Sequence, residues 1–415
     1  MQSELFRIPV EIAGVPLFGF GVLLALWVIG LGGWLYWQTR RGMPAAEARG
    51  FLPVGLLAAA VIVLLPRLFP EGLPIRGYGL MLLLAAVCGI GMAAHRAHQN
   101  GLSPDVIYSL AGWLFVCGIL GARVFYVIEY WEDRFATLAF PNNLIQMLMF
   151  TEGGLVVYGS LIGASLAFMA FCWRHKLPVL ALADILAPSL VVGLAFGRIG
   201  CLLNGCCYGG QCDRPWAVTF PVGSPAYQDQ LYAGELPRGL RLLVDDTVRP
   251  PRLIVDGARI DGRPESDQVA SINGRRVATM TQAQRVLSRA YWSGQKVEVT
   301  LRDGRQVTVE AKSLPVHPTQ VYSAVNAALL AWLTWTYYAF RRRDGEVIGL
   351  LLSLYPVSRY LLEDIRTDEA AIFGTGLSIS QNVSVGLLIG VAVFWVVLLR
   401  RPARLALAPA EPQPA

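Results

Sequence analysis

Residues 197–210 read GRIGCLLNGCCYGG, so Arg198 stands beside Cys201, Cys206 and Cys207, with Cys212 just beyond, at the end of an apolar run. An arginine close to lipid must be hydrated, paired or used, and thiols this dense must be bridged, bind a metal or react. Adjacent Cys206 and Cys207 are poor partners for each other. Bridging of Cys201 or Cys212 to one of the central two, or two such bridges, is therefore the expectation. The spacing lacks the paired C-x-x-C knuckles of a zinc site, so no metal is expected, while a redox-active dithiol and a covalent lipid relay stay open. A second group lies at Arg359, Glu363 and Arg366, whose i, i+4, i+7 spacing stacks them on one helix face. Guanidinium groups suit a phosphate at low dielectric, because the planar fork donates two hydrogen bonds and stays charged.

The elements that position these residues are membrane spans. The chain has 415 residues, 54% hydrophobic and 15% charged, far from the balance of a soluble domain. Apolar runs able to cross about 30 Å of hydrocarbon fall at 13–37, 51–69, 77–96, 106–128, 153–173, 180–203, 319–340, 345–364 and 383–400. Pro53, Pro66 and Pro188 interrupt two of them, which membrane helices tolerate. The first run, preceded by Glu4, Arg7 and Glu11, has no basic leader or small-residue cleavage site and reads as a retained anchor. The fold class is an all-α polytopic membrane protein of about nine transmembrane helices with a soluble α/β insert.

Lys and Arg collect after the first (Arg40, Arg41, Arg49), fifth (Arg174, Lys176), seventh (Arg341, Arg342, Arg343) and ninth spans (Arg400, Arg401, Arg404), which makes those loops cytoplasmic. The net charge of +6 is thus a positive-inside signal and gives no reason to invoke nucleic acid. The alternate loops lie outside, and the polar span ends gather there: Tyr78, Arg123, Tyr158, Arg198 with Asn204, His317, and Arg359 with Glu363. Snorkelling accounts for one or two such arginines, but several at one depth suggest a site for an anionic lipid head group at the outer leaflet. A water-filled pathway is the competing reading, weakened by the scarcity of charges at mid-depth. The outer side is oxidising, which favours bridged cysteines there. Cys88, Cys117 and Cys172 lie inside spans as small core residues.

Five parts follow along the chain. Residues 1–76 hold two additional spans, and the echo of GVPLFGFGVLLAL (14–26) in GLPIRGYGLMLLL (72–84) suggests a duplicated helix pair. Residues 77–210 and 317–401 form the two parts of the membrane core, and 402–415 form a Pro/Ala-rich disordered tail. Residues 211–316 form the extracytoplasmic insert. Its second half runs strand, Asn273-Gly274 turn, helix and a hairpin closed by Asp303-Gly304, an order that is PDZ-like; a generic α/β brace is the alternative.

GYGLM (77–81), LGARVFYVIEYW (120–131), GGLVVYGSLIGA (153–164), GRIGCLLNGCCYG (197–209), HPTQVY (317–322) and SRYLLEDIRTDE (358–369) follow one another in this chain in an order that resembles the prolipoprotein diacylglyceryl transferases. The first two spans and the insert lie outside these motifs. The resemblance implies transfer of the diacylglyceryl group of phosphatidylglycerol to the lipobox cysteine thiol, in the signal-peptide region of a preprolipoprotein, with release of glycerol-1-phosphate. It implies no cofactor, and it implies membrane lipid as surroundings and the bacterial inner membrane as location. Arg198 and Arg359 match the family's two critical arginines, and Tyr78, Arg123, Asn204, Tyr355, Glu363 and Arg366 match supporting positions that bind substrate.

Three departures stand out. Tyr158 takes the place of a histidine suited to proton handling, and a tyrosine with an ordinary pKa of about 10 is a poorer base. Cys201 replaces an asparagine and Cys206 a glutamate. Tyr158 and His317 are the remaining candidates for the proton of the attacking thiol; the family's own motif carries a histidine at 317, so a structural role is equally open there. A thiol–disulfide enzyme or another lipid-modifying enzyme on the same scaffold, and a membrane-anchored peptide-binding protein, remain alternatives.

Overall fold

The computed structural model describes residues 4–12, 14–42, 44, 52–136, 142–148, 154, 156–236, 242–245, 252–255, 267–366 and 376–407. Arg49, the Glu152–Gly153 opening of the fifth run and the tail from 408 onward lie outside the described residues. The chain divides into two compact units, Met1–Leu80 and Met81–Ala415.

The first unit contains strands β1 (Glu4–Ile8), β2 (Glu11–Ile12), β3 (Val15–Pro16) and β4 (Leu73–Arg76), helices α1 (Val22–Arg40) and α2 (Leu52–Leu68), and the first turn of α3 (Gly77–Gln99). β1 pairs antiparallel with β4, and β2 with β3. The first span therefore starts only at Val22: the hairpin of β2 and β3 and the left-handed Gly14 and Gly19 occupy residues that the apolar run alone assigned to the helix. No residue of α1 is buried although Leu and Trp surround it, as in a helix solvated by lipid. α2 continues through Pro66.

The second unit continues α3 and adds α4 (Pro104–Glu129), a π-helical turn (Trp131–Phe135), α5 (Asn142–Leu148), α6 (Val157–His175), α7 (Val179–Asn204), α8 (Pro225–Tyr232), α9 (Met280–Ser293), α10 (Thr319–Tyr337), α11 (Glu346–Glu363) and α12 (Ile379–Leu399). Among the described residues, α1, α3, α4, α6, α7 and α12 are long and apolar enough to cross a membrane, and Gly55–Leu68 is a shorter apolar helix. α10 and α11 occupy the seventh and eighth expected spans with more polar residues. The protein is thus mostly helical, with six qualifying spans where nine were expected.

α4 and α6 approach through glycine. A Cβ on Gly163 would lie 2.3 Å from the Cys117 carbonyl oxygen, and one on Gly121 would lie 2.4 Å from the Gly159 carbonyl oxygen. Spacing of small residues by four lets backbones touch along one helix stripe. Because the obstacle is backbone, Gly163→Leu must force the helices apart; we expect a loss of about 3 kcal/mol, read as a lower midpoint in thermal or denaturant unfolding.

α7, α10 and α11 alternate in direction. At one end, Asp184 of α7, fully buried, accepts hydrogen bonds from the backbone N–H of Gly345 (2.7 Å) and of Ile348 (2.9 Å). It thereby satisfies two of the orphan donors that open α11. Nearby, Arg96 lies 3.7 Å from the Trp335 ring centre and 4.2 Å from that of Tyr338, which also stacks on Arg341 at 3.5 Å. Removing the Asp184 carboxyl strands two buried N–H groups, so Asp184→Ala should cost about 3 kcal/mol in the same unfolding measurement, with Asp184→Asn intermediate.

The insert is a small α/β body. Its six strands, β5 (Leu242–Asp245), β6 (Arg252–Val255), β7 (Asp267–Ile272), β8 (Arg275–Arg276), β9 (Val297–Leu301) and β10 (Gln306–Val309), form a sheet in the order β10-β9-β7-β6-β5, with β8 on β7. The Asn273-Gly274 turn and the hairpin around Asp303-Gly304 stand where their residue types indicated. Ala283, Leu287 and Ala290 of α9 are buried with Ile272, Val297, Val299 and Leu301 of the strands. The chain enters and leaves this body side by side: Gln211 and Val218 bridge to Val316, and Pro221 to Lys312.

Candidate functional site

The opposite end of the bundle collects the residues singled out in the sequence. α7 ends at Asn204, and Gly205 (φ 78°) turns the chain in the left-handed conformation glycine favours. The Cys201 carbonyl accepts from the backbone N–H of both Gly205 (2.8 Å) and Cys206 (3.2 Å). Cys207 is also left-handed, at φ 57°, which costs a non-glycine residue about 1–2 kcal/mol. Its surroundings hold it there. The Thr319 hydroxyl donates to the Cys207 carbonyl (2.7 Å), and the side-chain amide of Gln320, 1% exposed, donates to the Cys206 carbonyl (2.7 Å). Gly209 N–H bonds the His317 carbonyl, and Gly210 N–H bonds the Ile365 carbonyl, both at 2.9 Å. The cysteine turn, the HPTQ segment and the end of α11 are thereby one hydrogen-bonded unit.

This turn brings Cys201, Cys206 and Cys207 together, with their sulfurs all within 4.8 Å of one another. The expected bridge is not formed: all seven cysteines are free thiols, and Cys212 is not one of the three. The reason is local. The helix end and two left-handed residues fold the three thiols inward, whereas Cys212, whose N–H bonds the Pro315 carbonyl (3.0 Å), follows the chain toward the insert. Hydrogen bonds from Cys201 and Cys206, ahead of the charges of Arg198 and Arg366, hold the Cys207 thiol well below the ordinary thiol range, although burial opposes them. Asn204 hydrogen-bonds Cys206.

On α11, Arg359 donates to Glu363 and to the Ser380 hydroxyl (2.7 Å). Glu363, 5% exposed, also accepts from the Ser378 hydroxyl (3.2 Å), and Arg366 approaches it at 4.0 Å. Ser378 and Gln381 form a capping box that starts α12, and the Gln381 amide reaches back to Asp364 (2.9 Å). Glu363 therefore lies between the two arginines, although the helix ends at Glu363 and Arg366 follows it instead of stacking on the same helix face. Tyr355 lies on the same helix, partly buried, and its carbonyl accepts from the Ser358 hydroxyl.

The other candidates are placed differently. Arg123 donates to the carbonyls of Gln146 (2.6 Å), Met147 (2.8 Å) and Gly154 (3.0 Å), so it braces the segment before α6. The ring of His317 faces the Tyr322 hydroxyl at 3.3 Å, which also takes the Trp216 indole N–H (2.8 Å). No hydrogen bond joins that ring to the thiols among the described residues. Tyr158 opens α6 half-exposed, and among the described residues its hydroxyl has no hydrogen-bond partner. Tyr78 belongs to the first unit, at the start of α3, and is not among the residues the second unit brings together.

Arg198 is set apart by what it lacks. Among the described residues its partly buried guanidinium has no hydrogen-bond or ion-pair partner, and its charge acts on Cys207 as does that of Arg366. Thr319, Gln320 and Ser378 are the functional supports that motif reading left without a role. The Ser378-x-x-Gln381 capping pattern was the one readable signal for any of them.

Comparison with known proteins agrees with this geometry. A protein of Rhodopirellula baltica named phosphatidylglycerol–prolipoprotein diacylglyceryl transferase is 36% identical over 434 residues, covering 92% of this chain and 86% of its own length. One of Clostridium perfringens, named phosphatidylglycerol–prolipoprotein diacylglyceryl transferase 2, is 25% identical over 322 residues, 77% of this chain and 89% of its own. The sequence model of the family described as prolipoprotein diacylglyceryl transferase matches residues 66–397, taking in every motif from Gly77 onward and both arginine-bearing helices. With several apolar helices able to span a bilayer, this multi-pass membrane protein belongs to the prolipoprotein diacylglyceryl transferase family.

Proposed function

We propose that the chain transfers the diacylglyceryl group of phosphatidylglycerol to the lipobox cysteine thiol in the signal-peptide region of a preprolipoprotein, at the outer face of the bacterial cytoplasmic membrane. The names of its relatives support the substrates. The observation that carries the reading is Arg198: a partly buried guanidinium with no hydrogen-bond or ion-pair partner among the described residues, whose charge acts on Cys207 together with that of Arg366. Such a cation at the end of a membrane helix favours an anion as its partner.

The chemistry fits that placement. The sulfur of the acceptor attacks the glyceryl carbon, the bond from that carbon to the phosphate oxygen breaks, and glycerol-1-phosphate leaves with the electron pair. Negative charge on the phosphate grows by one unit along the way. Arg198 and Arg359, aimed at that oxygen cluster, stabilise the transition state more than the ground state. Arg366, Asn204 and Tyr355 are assigned to binding the head group, and Tyr78 is assigned to substrate binding from its motif alone. Arg123 shapes the pocket through the backbone it holds. Tyr158 is assigned to the proton of the thiol or to a hydrogen bond on phosphate, and His317 to holding the cysteine turn.

We read α2, α10 and α11 as spans in addition to the six, giving nine, with the Arg96–Arg341 end cytoplasmic and the insert outside. The excess of Arg and Lys at the first end supports this orientation. The strand, turn, helix and hairpin order of the insert supports a PDZ-like relation. Incubating the purified protein with phosphatidylglycerol and a lipobox peptide should add the diacylglyceryl mass to the peptide thiol. Folded protein that never yields this product would overturn the proposal.

A further inference from the structure

We propose that Cys201, Cys206 and Cys207 form a three-thiolate site for Zn2+ whose fourth position receives the acceptor thiol; this second part rests on the transferase reading above. Their sulfurs lie within 4.8 Å of one another, and a tetrahedral zinc with Zn–S bonds of about 2.3 Å needs them about 3.8 Å apart. Small rotations of the three side chains therefore suffice. No other group of three or more His, Cys, Asp or Glu side chains converges in this way among the described residues.

The backbone that presents the thiols is already ordered. Gly205 and Cys207 are held left-handed, and the carbonyls of Cys206 and Cys207 are fixed by Gln320 and Thr319. Binding a metal needs little further ordering of the chain, the usual cost of a site made from a loop. Three thiolates around Zn2+ leave one net negative charge, and Arg198 and Arg366, whose charges act on Cys207, offset it. Asn204 hydrogen-bonds Cys206, and an amide is a weak zinc ligand. Catalytic zinc sites characteristically combine three protein ligands with one open position.

That open position meets a requirement of the reaction. A thiol of pKa about 8.5 is mostly protonated at neutral pH, and the His317 ring is turned to Tyr322. Zinc removes the difficulty, because a coordinated thiol is deprotonated outright. The acceptor R–SH binds zinc as R–S− and releases its proton. The sulfur forms the new S–C bond, the C–O bond breaks toward the phosphate, and glycerol-1-phosphate takes up one proton, so charge and atoms balance without oxidant or reductant. The resulting thioether is a poorer zinc ligand and leaves. In this reading the activation of the thiol passes from a side-chain base to the metal that Cys201, Cys206 and Cys207 hold.

The test uses the full chain, purified in detergent under reducing conditions. Elemental analysis should find about one zinc per chain, retained in Cys212→Ser and lost in Cys201→Ser, Cys206→Ser and Cys207→Ser. Titration of the metal-free wild type with Co2+ should give the intense thiolate-to-cobalt absorption of a tetrahedral site, independently of whether any variant folds. Adding a lipobox peptide should shift that spectrum, and the same peptide with serine for its cysteine should not. Folded, reduced wild type that takes up neither zinc nor cobalt would overturn the site, as would equal zinc in the three serine variants. Full transfer activity after chelation would overturn the role of zinc and leave the transferase reading intact. Tight zinc without any transfer to the peptide would do the reverse.

Discussion

Replacing Arg198 with lysine should lower turnover with phosphatidylglycerol and a lipobox peptide about 100-fold while leaving the unfolding midpoint where it was. The two halves of that expectation have separate causes. Arg198 has no hydrogen-bond or ion-pair partner among the described residues, so no internal hydrogen bond or ion pair among them is lost when the fork is replaced by an ammonium. The transition state does lose one, because a lysine donates to the departing phosphate from a single point where arginine donates from two. Loss of one donor aimed at a developing oxyanion typically costs 10²- to 10³-fold in rate, about 3–4 kcal/mol. Arg359→Lys is the informative contrast. That side chain also holds Glu363 and Ser380, so both turnover and stability should fall. Product mass measured over time, with thermal unfolding of the same preparations, separates the two cases. Wild-type rates for Arg198→Lys would remove the residue from the reaction.

Glu363→Ala should be the most destabilising single change at this end of the bundle, by about 3–5 kcal/mol. The carboxylate is 5% exposed and sits among Arg359, Arg366 and the Ser378 hydroxyl. Truncation leaves two guanidiniums at low dielectric with no anion between them, and mutual repulsion replaces a shared attraction. Ser378 loses an acceptor as well, which loosens the first turn of α12. Glu363→Gln keeps a hydrogen-bond acceptor and removes the charge, so its midpoint should fall between those of the wild type and the alanine variant. An unchanged midpoint for the alanine variant would mean that the arginines reach other anions. Transfer activity should drop in both variants, since Arg359 no longer has a fixed direction.

Much of this end of the molecule was readable from residue order. The i, i+4 spacing of Arg359 and Glu363 requires only helical geometry, and the helix is there; it ends at Glu363, so Arg366 lies past the helix rather than on the face its spacing indicated. Apolar runs located the long helices, and the glycine-closed hairpins of the insert followed from turn chemistry. The start of α1 was misplaced because the short hairpin of β2 and β3 is as apolar as the helix it precedes. The pairing of β1 with β4 spans some 70 residues and leaves no local trace. The thiols were harder still. Whether Cys207 pairs, points inward or faces solvent depends on a left-handed φ that residue type disfavours and that Thr319 and Gln320, more than a hundred residues away, help to hold in place. Arg123 shows the same limit: its type announces a ligand for phosphate, while the backbone carbonyls of Gln146, Met147 and Gly154 absorb its donors. Neither the thiol–disulfide enzyme nor the peptide-binding reading is favoured by the family to which the chain belongs.

The bridges from Gln211 and Val218 to Val316 also set an order of assembly. Bringing together two points separated by roughly a hundred residues costs an unstructured chain about 4 kcal/mol in loop closure, and such distant contacts form slowly. Once the sheet and α9 have folded, entry and exit of the insert already lie side by side, and the effective loop shrinks to a few residues. The turn carrying Cys206 and Cys207 can then lock onto Thr319 and Gln320. The insert acts in this sense as a folding clamp: newly inserted helices remain without a complete site until a water-exposed domain has found its own structure, and a slow-folding insert would delay the onset of activity without altering the mature rate.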